Sequence, residues 1–565
     1  MAIDVTVQVG GEAGQGIQTI GDLLAQVCTK AGFFMMMVND FESRIRGGHS
    51  FIQIRISDQP ILAPSSEVNL LVALNRSIYD IHHNEVSDNG LIIVDDKELN
   101  DSGTLIVPIK EMAREAGGKI MANTVAAGAI LSVLGAPFEY FEELLQKKFA
   151  KKSEIIVKNN VTAARLGFDS AKSGPDILKM NWDQGQPKGV TINGSKAVAL
   201  GALAADCRFA AFYPMSPATS VITNMIALSD DLPFVTEQAE DEIAAGNMIL
   251  GSAFAGVRSI TSTSGGGFCL MTEALGLAGI TETPMVVVNA QRPGPATGLP
   301  TRTAQPDLLF SIHASQDDFP RFIFAPGTPN EAYDITIRAF DLADKYQVPV
   351  IILMDQYLND SLYLTDGPMK LPEKIERYLT TSDQLENPGQ YQRYAITESG
   401  ISPRILPSNG DALIVVSGNE HTEDGHISED KENRVRMVDK RQAKFKNMVQ
   451  ELNAPTADHE DCDVLLVGWG STKGALLEAV DLLRQDQIDA GYLHYTDMWP
   501  FPSESAKDML KKAKRFIMVE QNSTAQFGQL IRYQTGLSYQ KAILKYDGRP
   551  FFPDEIVNAV KNEME

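Results

Sequence analysis

The sequence predicts an α/β protein made of three open α/β domains, and three observations carry that expectation. Short apolar runs alternate with helical patterns along most of the chain, the pattern of sheets covered by helices. The alternation breaks at two polar stretches, residues 171–189 and 366–455. And 565 residues are too many for one core, with usual domain sizes pointing to about three or four.

The first layer spans residues 1–170. "DVTVQV" (4–9) reads as a buried strand, "GGEAGQG" as a turn, and "IQTIGDLLAQVCTKAG" as an amphipathic helix closing on Gly32. Further runs, "FFMMMV", "FIQIRI", "NLLVAL", "GLIIVDD" and "GTLIVPI", alternate with helices such as "TVAAGAILSVLG" and "FEYFEELLQKKF", which predicts a mostly parallel layer. Residues 171–189, polar with Gly and Pro, read as a linker. The second layer covers 190–365, with strands "FAAFYP", "RSITSTS", "PMVVVNA" and "VPVIILMD". Residues 366–455 read as a mainly surface connection holding a helix and one or two strands, "DALIVVSG" among them. A third layer, 456–565, begins with "CDVLLVGWG" and "STKGALLEAVDLLRQ".

Composition narrows the function. A hydrophobic share of 44% places the chain among globular proteins. The apolar runs are too short to span a membrane, and "MAIDVTVQVGG" lacks the basic start of a signal peptide. A net charge of −23 argues against nucleic acid, so any anionic ligand must be held by local Arg, Lys or backbone N–H groups. Cys28, Cys207, Cys269 and Cys462 are scattered without a CxxC, which fits a reducing cytoplasm and encodes neither a zinc ribbon nor an iron–sulfur cluster. His82, His83, His421 and His426 fall in polar stretches and read as solvated side chains rather than metal ligands.

Several stretches could carry chemistry. Gly10-Gly11-Glu12-Ala13-Gly14-Gln15-Gly16 lies between strand and helix. Asp40 follows at the distance of a ribose-binding acid, but the glycine order is the reverse of the dinucleotide fingerprint, which disfavours NAD. A bare turn and a phosphate loop both fit these glycines. "ESRIRGGHS" puts Arg44, Arg46 and His49 around two glycines, suiting an anionic ligand, a subunit contact or plain surface charge.

In the second layer, "FYPMSPATSV" predicts a helix capped by Ser216 with Pro217 at its first position, its dipole ready for an anion. Asp241 and Glu242 open an Ala/Gly-rich helix. They complement its dipole, or Glu242 sits in an apolar site as a proton-exchanging carboxyl. "STSGGGFCLMTEALG" is another helix start, and Gln291-Arg292 end a strand where open α/β sheets bind ligands. The planar fork of Arg292 matches a carboxylate.

Together these stretches resemble the fused gamma–alpha subunit of 2-oxoacid:ferredoxin oxidoreductases, most closely the 2-oxoglutarate (KorA) type. "GGEAGQGIQT" and "RGGHSFIQIRIS" are similar to the gamma domain, and "YPMSPAT" to the Tyr-Pro-Ile-Thr-Pro substrate motif. "EDEIAAGNMILGSAFAGVRSITSTSGGG" and "NAQRPGPATGLPT" resemble the thiamine-pyrimidine domain, and "SGNEHTEDGHISED" and "VEQNSTAQFGQLIR" the later segments, the last in a transketolase C-terminal-like domain.

The resemblance implies oxidative decarboxylation of a 2-oxoacid with coenzyme A, giving an acyl-CoA and carbon dioxide and sending two electrons to ferredoxin. It implies that Glu242 hydrogen-bonds N1′ of the thiamine diphosphate aminopyrimidine, that Arg292 binds the substrate carboxylate, and that Tyr213 and Ser216 line the substrate. Ser216 keeps the hydroxyl of the family's Thr without its methyl, and Met215 replaces Ile, so specificity is open between 2-oxoglutarate, pyruvate and branched-chain 2-oxoacids. Gly14, Gln15 and Gly16 would approach the coenzyme A phosphates.

The Gly-Asp-Gly motif for diphosphate and magnesium is absent, as are cluster cysteines. The resemblance therefore implies a beta subunit carrying the thiamine diphosphate–Mg site and an iron–sulfur cluster, in a dimer of alpha–beta heterodimers serving ferredoxin in the cytoplasm. A non-catalytic assembly subunit is the competing reading from another class.

Overall fold

The computed structural model describes residues 3–43, 47–99, 103–172, 174, 178–229, 232–365, 367–385, 388–407, 409–410 and 412–564. Arg44 and Arg46 lie outside the described residues. The described residues form a mixed α/β protein with three sheets, and its contacts divide it into two compact units.

The first unit comprises residues 1–192 with 361–368 and 552–555. Its eight-stranded sheet runs, edge to edge, Thr104–Ile106, Val86–Val94, Val68–Ala73, Asp4–Ala13, Gly47–Ser57, Phe34–Phe41, Leu362–Leu364 and Thr191–Ile192. Its first four strands are parallel, but Gly47–Ser57 is antiparallel to both of its neighbours, so the layer is mixed rather than mostly parallel. The cause is local. Only five residues join Phe34–Phe41 to Gly47–Ser57, enough for a hairpin but too few for the crossover that parallel strands need. The same pairing extends the first strand through Gly10, Gly11 and Glu12 to Ala13, with a register slip between Gly11 and Ala13, so the turn shrinks to Gly14–Gly16.

The Ile17–Lys30 helix buries Ile17, Ile20, Leu23, Leu24 and Val27 on one face, each side chain contributing about 1.5–3 kcal/mol. Helices Ala122–Val133 and Glu154–Ser170 cross where a Cβ on Gly128 would lie 2.3 Å from the Ala164 carbonyl oxygen, and one on Gly167 2.0 Å from that of Val125. Part of the polar stretch after 170 packs inward. Trp182 is buried against Phe33 and donates its indole N–H to the Leu134 carbonyl at 2.8 Å.

Two of the histidines expected to be solvated are buried. His82 ends a short helix and is tied through Nδ1 to Glu85 Oε2 and through Nε2 to His49 Nε2, both at 2.6 Å. His421, in the second unit, is fully buried in a bridge to Ile427 and packs on the Tyr394 ring. Tertiary partners, invisible to local polarity, take both side chains out of water.

The second unit comprises 193–360, 369–551 and 556–565. It holds a seven-stranded sheet in the order Asp497–Trp499, Phe322–Phe324, Pro349–Asp355, Met285–Gln291, Ser259–Thr263, Phe209–Phe212 and Val235–Gln238, parallel except for its first strand. A five-stranded sheet follows, four strands of it parallel. The two sheets share one apolar core in which Val287, Ile351, Leu465, Trp469 and Phe527 are buried.

The segment expected to be a surface connection is anchored here. "DALIVVSG" forms no strand over its described residues, while the Lys431–Met448 helix sends Lys440 and Lys444 inward to buried Glu282, at 2.5 and 2.6 Å. Arg393, also buried, donates to the Thr281 and Glu282 carbonyls and to Gln347.

Candidate active site

The parallel strands of the seven-stranded sheet deliver several of the candidate side chains to one edge, at their carboxyl ends. Phe209–Phe212 leads into Tyr213 and Ser216, Val235–Gln238 into Asp241 and Glu242, Ser259–Thr263 into Ser264–Gly267, and Met285–Gln291 into Arg292.

Asp241 and Glu242 divide the work at the start of the Glu242–Phe254 helix. Asp241 is the cap, accepting the Ala244 N–H at 2.8 Å, which frees Glu242 from that task. Glu242 is 3% exposed, and its Oε1 has no hydrogen-bond partner. Burial pushes its carboxyl above the ordinary range; its own backbone N–H opposes this, and the neighbouring Asp241 carboxylate adds to it. Glu242 can sit there because residue 267 is glycine. A Cβ there would lie 2.4 Å from Glu242 Oε1 and 2.2 Å from Thr263 Oγ1.

Arg292 is half-buried and donates from Nη1 to the Ser216 carbonyl at 2.5 Å. The structure thus brings Arg292 and Ser216 together, through the Ser216 backbone. The Ser216 hydroxyl is not the helix cap expected from sequence. The Ser216–Pro217 peptide is cis, the Thr219 N–H bonds the Met215 carbonyl at 3.1 Å, and the helix runs Thr219–Ser229. Tyr213 is 39% exposed. No hydrogen bond or ion pair joins Glu242 to Arg292 among the described residues.

Sequence reading missed Asp307. Its Oδ2 accepts from Asn289 Nδ2 at 3.1 Å, and its N–H donates to Gln291 Oε1 at 3.0 Å. Burial pushes its carboxyl up to about 6, against the Asn289 hydrogen bond and the Arg292 charge, which pull it down. Before the apolar "LLFSIH" an Asp reads as an ordinary helix cap, and no local signal places it against Asn289 and Gln291.

Gly14, Gln15 and Gly16 belong to the first unit. Gly14 and Gly16 have φ of 92° and 73°, left-handed backbone that favours glycine. Gln15 Oε1 accepts the Glu12 N–H at 2.8 Å. Gly14 and Gln15, though not Gly16, line a cavity of about 480 Å³ with Asp95, Lys110, Arg114, Lys119 and Asn123. Three cations, of which Lys110 pairs with Asp95 at 3.2 Å, stand around this glycine turn, a setting that suits a polyphosphate. All three come from about a hundred residues downstream, which the glycine motif alone cannot reveal.

Comparison with known proteins adds the family. A model described as "Pyruvate ferredoxin/flavodoxin oxidoreductase" matches residues 6–170. One described as "Pyruvate flavodoxin/ferredoxin oxidoreductase, thiamine diP-bdg" matches 200–440, the span that holds Ser216, Glu242, Arg292 and Asp307, and "Pyruvate:ferredoxin oxidoreductase core domain II" matches 462–556. The 2-oxoacid:ferredoxin oxidoreductase 2 alpha subunit of Aeropyrum pernix is 32% identical over 100% of this chain and 98% of its own. The chain belongs to the alpha subunits of 2-oxoacid:ferredoxin oxidoreductases.

Within this family, the 2-oxoglutarate oxidoreductase subunit KorA of Mycobacterium tuberculosis is 28% identical, covering 98% of this chain and 90% of its own. A solved 2-oxoglutarate:ferredoxin oxidoreductase from Magnetococcus marinus, with 2-oxoglutarate, coenzyme A and succinyl-CoA bound, matches with a TM-score of 0.91 and 30% identity over 100% of both chains. A buried carboxyl with a partnerless oxygen, packed against Gly267, fits a ring nitrogen of the aminopyrimidine of thiamine diphosphate.

Proposed function

We propose that this chain is the gamma–alpha subunit of a cytoplasmic 2-oxoglutarate:ferredoxin oxidoreductase. One 2-oxoglutarate and one coenzyme A become succinyl-CoA and carbon dioxide, and two electrons pass to ferredoxin. The observation that carries the reading is the buried, partnerless Glu242 oxygen at the same sheet edge as Arg292. The 2-oxoglutarate relatives support the choice of substrate.

Thiamine diphosphate, when bound, supplies the electron sink for the decarboxylation. Glu242 holds a proton at Oε1 against the pyrimidine, kept there by its raised proton affinity. Arg292 binds the carboxylate that is to leave, and Ser216 and Tyr213 line the keto compound. Gly14, Gln15 and Gly16 approach the coenzyme A phosphates, with Lys110, Arg114 and Lys119 lining the same cavity as Gly14 and Gln15.

A beta subunit brings the magnesium–diphosphate site and the iron–sulfur cluster, and two such pairs assemble. Residues 1–170 form the gamma-like domain, 171–189 a linker, 190–365 the pyrimidine domain, 366–455 the connection and 456–565 the C-terminal domain.

The test is to co-purify the chain with its partner and measure coenzyme A-dependent dye reduction with 2-oxoglutarate, pyruvate and branched-chain 2-oxoacids. The isolated chain is expected to be inactive and the complex to prefer 2-oxoglutarate. Turnover by the isolated chain, or preference for pyruvate, overturns the corresponding part.

A further inference from the structure

The late motif "VEQNSTAQFGQLIR" has no place in the proposed chemistry, yet it closes on the loop that begins at Arg292. Glu520 ends the Arg515–Glu520 strand fully buried and organises the turn that follows. Its Oε2 accepts from the Trp469 indole N–H at 3.2 Å, the Asn522 amide at 2.8 Å and the Phe527 N–H at 2.9 Å, and its Oε1 from the Gly528 N–H at 3.0 Å. A carboxylate shared among so many donors holds the turn in one geometry.

That turn grips residues 303–309, where the chain returns from the Arg292 loop. The buried Gln305 donates its N–H to the Gln521 carbonyl at 2.7 Å, and its Oε1 accepts the Gln521 N–H at 3.0 Å. Its Nε2 donates to the Trp469 carbonyl at 2.8 Å, and Asn522 Nδ2 donates to its carbonyl at 3.2 Å. Gln526 then brackets Asp307, its Nε2 donating to the Pro306 carbonyl at 2.6 Å and its Oε1 accepting the Leu309 N–H at 3.1 Å. Asp307 passes the hold back to the sheet, its N–H donating to Gln291 Oε1 and its carboxylate accepting from Asn289. Gln291, the residue before Arg292, also donates to the Met354 carbonyl at 3.2 Å. Between these ends residues 294–299 are exposed, so the loop takes its position from where it is tied.

We propose that Gln305 and Gln526 are positioning residues, through which the turn after Arg515–Glu520 sets where the Arg292 guanidinium meets the 2-oxoacid carboxylate. A binding group of this kind must be held to within about 0.5 Å and about 10–20°. Slack in the tie therefore reaches substrate binding. It leaves thiamine binding alone, because Glu242 follows a different strand, Val235–Gln238. The inference rests on Arg292 as the carboxylate site.

The experiment compares Gln526→Ala and Gln305→Ala with wild type, each as the complex of the full chain with its partner. Steady-state dye reduction gives kcat and KM for 2-oxoglutarate and KM for coenzyme A, and calorimetry on the thiamine-free complex gives Kd for thiamine diphosphate. Gln526 is half-buried, so its truncation leaves the core packed. Gln526→Ala should raise KM for 2-oxoglutarate about tenfold, with the other three constants within about twofold of wild type. Gln305→Ala should raise that KM further. Arg292→Gln should raise it at least about tenfold, and Gln526→Ala added to Arg292→Gln should change it little more, because the effect runs through the guanidinium.

A lowered melting temperature with wild-type KM for 2-oxoglutarate in Gln526→Ala marks a merely structural role and overturns the inference. An equal effect of Gln526→Ala with and without Arg292→Gln overturns it too, as does a matching loss of thiamine diphosphate affinity. If Gln305→Ala fails to assemble, Gln526→Ala decides alone. Wild-type KM in Arg292→Gln instead overturns the Arg292 reading on which the inference stands.

Discussion

Replacing Gly267 by Ala tests the site with one methyl group. The new Cβ would sit 2.2 Å from Thr263 Oγ1, 2.4 Å from Glu242 Oε1 and 2.6 Å from Glu242 Cγ. Ordinary contact begins near 3.4 Å, so about 1 Å must be recovered. Thr263 ends a central strand and is fully buried, which leaves Glu242 to move. Overpacking of this kind costs about 1–3 kcal/mol, a drop of a few degrees in melting temperature. If the methyl displaces the carboxyl from the pyrimidine, thiamine diphosphate affinity should fall about tenfold or more, the equivalent of about 1.4 kcal/mol. Turnover should fall further, by about 10²–10³, because proton transfer depends on position. The assay pairs cofactor titration with dye reduction by the assembled complex. Adding Glu242→Asp, one methylene shorter, should recover part of the binding in a double-mutant cycle. Wild-type affinity and turnover in Gly267→Ala would refute the assignment of Glu242.

Glu242→Gln should lower turnover by about 10²–10⁴ while the complex still assembles, as size-exclusion chromatography would show. Because the folded-state carboxyl is raised, wild type should lose stability relative to this variant as pH climbs from the ordinary carboxylate range through the raised value, and melting midpoints across pH check the sign. Arg114→Glu should raise KM for coenzyme A by about 10–100-fold and leave KM for the 2-oxoacid unchanged in steady-state assays. Glu282→Gln strands Lys440 and Lys444 without their carboxylate and should cost about 3–5 kcal/mol in urea unfolding.

The sequence reveals the strands and helices of the second and third layers because burial leaves uninterrupted apolar runs such as "PMVVVNA" and "VPVIILMD", each fully buried as a strand. It also shows that Glu242 and Arg292 lie at a helix start and a strand end, since Pro, Gly and acid punctuation is local. What it hides is set by partners far along the chain. The direction of Gly47–Ser57 follows from a short connection whose pairing no propensity encodes. Ser216-Pro217 carries the composition of a helix start, but the peptide is cis and the Met215–Thr219 hydrogen bond starts the helix later. Asp307, Lys110 and His82 owe their surroundings to residues 15 or more positions away, or to side chains that local polarity misreads.

The cations that the Lys431–Met448 helix lends to Glu282 have a consequence for anyone who would dissect the protein. Residues that look like a dispensable tether neutralise the interior of the block preceding them. A fragment ending near residue 365 would therefore expose apolar surface and abandon a buried anion at once. Excision at that apparent seam should yield an insoluble piece, and a miniature enzyme would have to keep the strut along with the site.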